Sequence, residues 1–275
     1  MSDLRWKVSV LRSRWRNRLR YLVRAPFVYR NWWALPLPKL GVGVVLLLRN
    51  GLKYLVRPST TDLAVVNEAS LADPYAVAGI TQLPADAVVI DVGANIGDFT
   101  MSIARSCPKG RVVAIEPAAE HCRMIEVQKL LNGFDHVTVV RTALGGSEGE
   151  VRLHGAGSHS SVGFGNGTVE TVRQTTLGNL MSELSISTVS LLKLDCEGAE
   201  WEIIPSSEDV LPQIQRIVME FHCTGDWTPA RLADWLRARG FEVGYTPGLW
   251  NGLLWAVQGT SPERIKDGSL DPPAF

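Results

Sequence analysis

The sequence predicts an α/β fold built on a doubly wound, mostly parallel sheet, and three observations predict it. Short β-branched runs recur from Val88 onward in the 275-residue chain, and helical patterns separate the earlier ones. The stretch "VVIDVGANIGDFTMSIARS", Val88 to Ser106, reads as a buried strand that stops at a short glycine turn and restarts as a helix. The last two strand patterns are joined by "TPGLWNG", too short for a crossover helix, so they are expected to pair antiparallel.

In chain order, residues 1–40 read as a basic amphipathic extension. Within "DLRWKVSVLRSRWRNRLRYLVR", residues 3–24, apolar side chains recur at helical spacing between arginines. Such a helix suits an anionic membrane surface, a docking site on the body or a partner protein, and no nucleic-acid-binding signature accompanies it. Residues 41–83 read as a hairpin and lead-in, with Asn50-Gly51 as a tight turn in "VVLLLRNGLKYLVRP". Residues 84–260 form the predicted main domain and 261–275 a tail. Its strands are predicted near 88–91, 111–116, 137–142, 190–195, 216–221, 241–245 and 253–258, with helices near 99–106, 119–132, 199–204 and 229–239. The polar, glycine-rich segment between Glu150 and Thr176 is expected to be a long loop over the strand ends.

Composition excludes several classes. The chain is 45% hydrophobic with mean hydropathy +0.05, as in globular proteins. Its four cysteines form neither a Cys-x-x-Cys pair nor a zinc-like spacing with the five histidines, so no metal centre or disulfide framework is expected and a cytoplasmic location is. No uninterrupted apolar run reaches transmembrane length and no secretory signal is read. The net charge of zero conceals a split: residues 1–57 carry 13 Lys/Arg against one acid, the rest 15 against 27.

The glycine turn carries the chemistry. "DVGANIG" spaces Gly93 and Gly97 as G-x-x-x-G, so neither the dinucleotide pattern nor a P-loop is present. Asp91 at the strand end would repel a pyrophosphate and suits a ligand with cationic groups, such as the ammonium and sulfonium of S-adenosyl-L-methionine. Glu116 ends the second strand, where an acid accepts hydrogen bonds from ribose hydroxyls. A nicotinamide-dependent oxidoreductase could use the same strand, turn and acid, but the chain contains no Tyr-x-x-x-Lys pair.

The motifs "VVIDVGANIGDFT", "VVAIEPAAEHCRMIEVQKLLNG", "VTVVRTALGGSEGEVRLH", "SLLKLDCEGAEWEII" and "RIVMEFH" resemble, in order and spacing, the FkbM-type S-adenosylmethionine-dependent methyltransferases from about Leu63 to Gln258. The resemblance implies a Rossmann-like class I methyltransferase fold with seven strands and an antiparallel last strand. It implies that Asp91, Gly93, Asn95 and Gly97 line the methionine end of S-adenosyl-L-methionine, that Glu116 with Pro117 holds the ribose, that Thr142, Ala143 and Leu144 contact adenine, and that Asp195 meets donor and acceptor. It further implies O-methylation of a sugar, glycolipid or natural product.

For the base that an alcohol nucleophile needs, His222 is the first candidate, with Asp195 and Glu220 beside it. Glu220 and His222 share strand parity. His159, Ser160 and Ser161 are candidate hydroxyl-recognition residues, Lys193 is expected to pair with Glu197 or bind a substrate anion, and Glu197 joins the substrate set. Asp195, Glu197, Glu220 and His222 could together hold a divalent cation, but no compact ligand motif supports one. Trp227, Trp250 and Trp255 suit the core as well as a sugar face. Partners expected are a glycan or small-molecule acceptor and an anionic membrane reached through residues 3–24 at the inner face. The rival from another class is a non-catalytic S-adenosylmethionine sensor or scaffold.

Overall fold

The computed structural model describes residues 23–72, 75, 83–155, 160–162, 168–222, 228–246 and 251–259. The chain divides into two compact units, Met1–Pro74 and Tyr75–Phe275.

In the first unit, residues 23–28 form the helical turns of α1. The hairpin pairs β1 (Val44–Leu47) with β2 (Lys53–Val56) in the register Leu46↔Tyr54. Among its two turn residues only Gly51 has a positive φ, 97°. The Leu48 amide donates to Leu52 O at 2.8 Å, so three residues are enclosed rather than a two-residue turn with both angles positive, and Asn50 instead accepts the Leu52 amide at 3.1 Å. Tyr29 bridges to Leu48 and donates its hydroxyl to Asn67 Oδ1 at 2.8 Å. Asn67 closes α2 (Asp62–Asn67), whose buried Asp62 is held by Arg57 at 2.8 Å.

The second unit holds a seven-stranded sheet of β3 (Val88–Val92), β4 (Arg111–Ile115), β5 (Val137–Val140), β10 (Leu191–Leu194), β11 (Arg216–His222), β12 (Phe241–Tyr245) and β13 (Asn251–Gln258). The spatial order is β12-β13-β11-β10-β3-β4-β5. Only β13 runs antiparallel to its neighbours, as the short connection requires. Val112 to Ile115 of β4 are all buried, which is why a parallel strand reads as one apolar run. Helices α3 (Asp98–Ser106), α4 (Ala119–Asn132), α6 (Glu200–Ser206) and α7 (Pro229–Arg237) connect these strands at the predicted places. This is the Rossmann-like α/β fold, with a switch in strand order between β3 and β10 where such sheets open a crevice.

The segment expected to be a loop is a second sheet. β6 (Ala143–Leu144), β7 (Gly149–Gly155), β8 (Ser160–Val162) and β9 (Thr168–Thr175) stand in the order β6-β9-β7-β8. Buried Leu153 and Val172 alternate with charged neighbours, so a strand pair wet on one face looks polar in sequence. Helix α5 (Leu177–Glu183) follows. Its signal was a Thr176 N-cap that accepts the Asn179 amide at 3.2 Å, ahead of buried Leu177, Leu180 and Met181. Among the described residues no helix is long and apolar enough to cross a membrane.

Gly93 joins the two central strands closely. Its φ is +72°, and a Cβ there would lie 1.9 Å from Asp195 O. Gly133 has φ +68° with nothing within 4 Å of an added carbon. Urea unfolding should therefore show Gly93→Ala losing more than about 3 kcal/mol and Gly133→Ala only about 1–2 kcal/mol; equal losses would refute the close approach.

Candidate active site

The carboxyl ends of β3, β4 and β10 bring the predicted residues together. Asp91 on β3 is fully buried at 0% exposure. Its Oδ2 accepts from Thr100 Oγ1 at 2.5 Å, and its Oδ1 lies 3.0 Å from Lys193 Nζ. Lys193 stands beside it in the strand register and also donates to Gly93 O at 3.1 Å. Lys193 therefore pairs with Asp91 rather than with Glu197 or a substrate anion. Strand neighbours decide this, and alternation within β10 does not reveal them. The charge that was to repel a pyrophosphate is thus neutralised locally. Burial alone would lower the Lys193 pKa, but Asp91, Tyr75 and Asp195 hold it well above the ordinary lysine value.

The β4 end presents Glu116. Its Oε2 accepts the Asn95 amide and its Oε1 the Ala118 amide, both at 2.9 Å. His121 Nδ1 stands 3.4 Å from Oε1. Each carboxylate oxygen keeps a further lone pair, so a fixed Glu116 can still accept from a diol. Asn95 Oδ1, in the turn between Asp91 and this acid, is buried without a hydrogen-bond partner. Gly97 is the N-cap of α3, and half-buried Pro117 precedes the N-cap of α4.

Asp195 follows β10 with its side chain 32% exposed. Tyr75 donates its hydroxyl to Asp195 Oδ2 at 3.1 Å, and Lys193 Nζ lies 3.9 Å from that oxygen. The Tyr75 ring packs edge-on against Phe99, centroids 5.3 Å apart, with the ammonium 5.7 and 5.8 Å from the two rings. Asp98, at the start of α3, feels Lys193, Asp91 and Asp195, and Tyr75 feels Glu220 as well. Burial pushes the Asp98 carboxyl up to about 7 against the pull of Lys193, and burial raises the Tyr75 hydroxyl well above its usual range. Three carboxylates, Asp91, Asp195 and Asp98, thus act on one ammonium, Glu220 acts on the neighbouring Tyr75, and the excess of acids favours a cationic ligand.

His222 belongs to a separate latch. Glu200, 0% exposed, accepts the Cys196 amide at 2.8 Å and the Gly198 amide at 2.9 Å. His222 Nδ1 lies 3.4 Å from Glu200 Oε1, Nε2 lies 3.6 Å from Glu197 Oε2, and the His222 carbonyl accepts from Trp201 Nε1. The Glu200 carboxylate beside it outweighs burial and lifts the His222 pKa to about 9. An imidazole held protonated near neutral pH is a poor proton acceptor, which weighs against the sequence's first candidate for the base. Glu220 shares its face with His222, both half-buried on either side of fully buried Phe221.

The remaining predicted residues are placed differently. Thr142, Ala143 and Leu144 are buried, with Thr142 Oγ1 donating to Arg173 O at 2.9 Å and Leu144 in the apolar core beneath the sheet. Ser160 and Ser161 are residues of β8, in register with Gly155 and His154. His159, Trp227 and Trp250 lie outside the described residues, and Trp255 lies on β13 opposite Val218. No metal-ligating group of three or more side chains occurs among the described residues. Sequence reasoning missed Tyr75, Thr100 and Asp98. Only Asp98 left a signal, an acid in the first turn of the helix that follows the glycine turn.

The Methyltransferase FkbM domain family matches residues 91–243, more than half of the chain. Among curated proteins, the AMB antimetabolite synthetase AmbE of Pseudomonas aeruginosa is 30% identical over 278 aligned residues, covering 77% of this chain and 13% of that protein. The chain thus spans a small part of that relative. Methyltransferase 1 of Beauveria bassiana is 23% identical, covering 62% of this chain and 78% of its own. The crystal structure of methyltransferase FkbM from Methylobacillus flagellatus KT superimposes with TM-score 0.49 at 16% identity, covering 71% of this chain and 53% of that one.

The latch predicts a titration. The folded-state pKa of His222 is raised, so the stability it adds is fully present below about pH 6.5 and is lost as pH rises through about 9. In proton NMR the His222 ring should titrate near 9, and Glu200→Gln should move its midpoint down by at least about one unit. A wild-type midpoint near 6.5 would refute the latch.

Proposed function

This chain belongs to the FkbM methyltransferase family, and we propose that it transfers the methyl group of S-adenosyl-L-methionine to a hydroxyl oxygen of a saccharide, glycolipid or related natural product. The observation that carries the reading is the excess of carboxylates over cations where β3, β4 and β10 end. A pyrophosphate would be repelled there and a sulfonium nucleoside attracted, which sets methyl transfer above hydride transfer from a nicotinamide. A relative named for antimetabolite synthesis supports the natural-product end of the acceptor range.

The residues present fit the donor. Glu116, already oriented by two backbone amides, has lone pairs for the ribose hydroxyls, and the orphaned Asn95 Oδ1 is an acceptor for a ligand donor. The half-open Asp195 and the carboxylate field around it suit the ligand's cationic end, a role that buried Asp91 fills only at a distance. When bound, the cofactor supplies an electrophilic methyl on a sulfonium leaving group. The chain supplies orientation and a proton acceptor.

Asp195 is the base in this reading. Tyr75 and Lys193 hold one of its oxygens, which leaves Oδ1 to take the proton from an acceptor hydroxyl. Tyr75 is a positioning residue.

Calorimetry with the purified chain should detect binding of S-adenosyl-L-methionine, weakened about 10- to 100-fold in Glu116→Gln. With hydroxylated acceptors the protein should release S-adenosylhomocysteine. Asp195→Asn should cut that turnover about 100- to 10,000-fold, a larger loss than the fall in donor affinity that removing its charge brings, and Tyr75→Phe should lower kcat about tenfold. Binding without turnover against any hydroxylated acceptor would favour a sensor or scaffold; no binding at all would overturn the proposal.

A further inference from the structure

The first unit exposes large apolar side chains that its own core leaves uncovered. Phe27 is 77% exposed, Trp33 65%, Leu40 73% and Val42 49%, with Trp32 at 48% and Leu47 at 38%. Monomeric globular proteins seldom leave so many bulky side chains of one short segment in water.

Local structure accounts for the display. The segment that follows α1 lies along the free edge of β1, where the Asn31 side chain donates to Val45 O and accepts from Leu47 N, both at 2.8 Å. The chain then makes two short 3₁₀ turns, Trp32–Ala34 and Leu37–Leu40. Ala34 and Pro38 turn inward, so Trp32, Trp33 and Leu40 are left outside. Leu47 and Lys53 are cross-strand partners on the outer face of the hairpin, and both are exposed.

The accompanying charge is of one sign. Residues 23–57 contain six Lys/Arg and no acid. Arg24, Arg30, Lys39, Arg49 and Lys53 are exposed, and Lys39 and Leu40 sit in the same 3₁₀ turn. Protein interfaces share the aromatic and arginine content but are depleted in lysine, and here Lys39 and Lys53 stand among the exposed cations with no acid in the segment. Tryptophan and phenylalanine interleaved with basic residues match the boundary between an anionic headgroup layer and its acyl chains, where the rings enter and the cations stay among the phosphates.

We propose that the exposed side chains Phe27, Trp32, Trp33, Leu40 and Val42, with the exposed Arg30 and Lys39 interleaved among them in sequence, dock on an anionic phospholipid bilayer. The occupant is the lipid surface, chosen by charge complementarity. The surface involves residues distinct from the basic run 3–24 and from the methyl-transfer residues.

The test is co-sedimentation of the full chain with vesicles of phosphatidylcholine alone and of phosphatidylcholine with phosphatidylglycerol. Binding is expected only to the anionic vesicles and should fall as salt rises. Trp32→Ser with Trp33→Ser should weaken it at least about tenfold. Arg30→Glu with Lys39→Glu should do the same, since each cation near such a surface contributes about fivefold. Each variant should keep the wild-type thermal midpoint and donor affinity, which separates loss of docking from misfolding or failure of the methyltransferase reading. Vesicle binding that survives both double variants but vanishes when residues 2–22 are deleted would overturn the proposal. So would absence of vesicle binding in a chain that self-associates through Trp32 and Trp33 in analytical ultracentrifugation.

Discussion

The ion pair between Lys193 and Asp91 is the constraint on which the rest of the active-site end depends. The two residues occupy matched positions on adjacent parallel strands, and both are almost completely buried. Removing one partner of such a pair typically costs about 3–5 kcal/mol, because the other charge is left without compensation. The same ammonium ties down Gly93 O, and the amides of Gly93 and Ala94 both donate to Ile115 O on β4. One buried cation and one turn therefore lock three strand ends together. A site built on such ends is held before any ligand arrives, which is what a displacement reaction needs from its scaffold.

The seven-stranded sheet was legible because buried parallel strands write themselves as apolar runs, as in Val112–Ile115, where every residue is buried. The antiparallel β13 was legible from connection length alone. The second sheet was not, since β9 reads "TVETVRQT", with residues of both characters on each face. Glu116 was found from its place at a strand end, a property of local sequence. Tyr75 was invisible, because its partner Asp195 is 120 residues away and only the fold brings them together. The partner of Lys193 was misjudged for the same reason: alternation identifies the face a strand residue takes but not which strand lies next to it.

Electrostatics link the two failures. The acidic reading of the glycine turn rested on Asp91 as a free charge, and Asp91 is compensated. Negative character nevertheless persists at the strand ends through Asp195, which acts on the same lysine, and Glu220, which acts on Tyr75, with Asp98 beside them. The sign inferred from one residue thus survives for a different reason, and the groups that set it sit nearer to solvent than Asp91 does. Asp98 shows the cost of that crowding, its carboxyl held near 7 by burial and by neighbouring acids.

The contrast between His222 and Asp195 shows why residue type alone does not identify a base. His222 has the side chain best matched to neutral pH in water, but it lies against Glu200, whose own oxygens cap two amides of the turn after β10. Glu197 in that turn adopts a left-handed φ of 55°, a conformation costly for a residue with a Cβ. The imidazolium and the Trp201 bond to the His222 carbonyl brace this strained turn against β11. Neutralising the imidazole would weaken its pairing with Glu197 and Glu200 while leaving the Trp201 bond in place. Asp195 has the opposite arrangement: one oxygen is fixed by a tyrosine and a lysine while the carboxylate remains partly open to solvent. A group held at one atom and free at the other can exchange a proton without disturbing the fold, and that asymmetry separates the two residues.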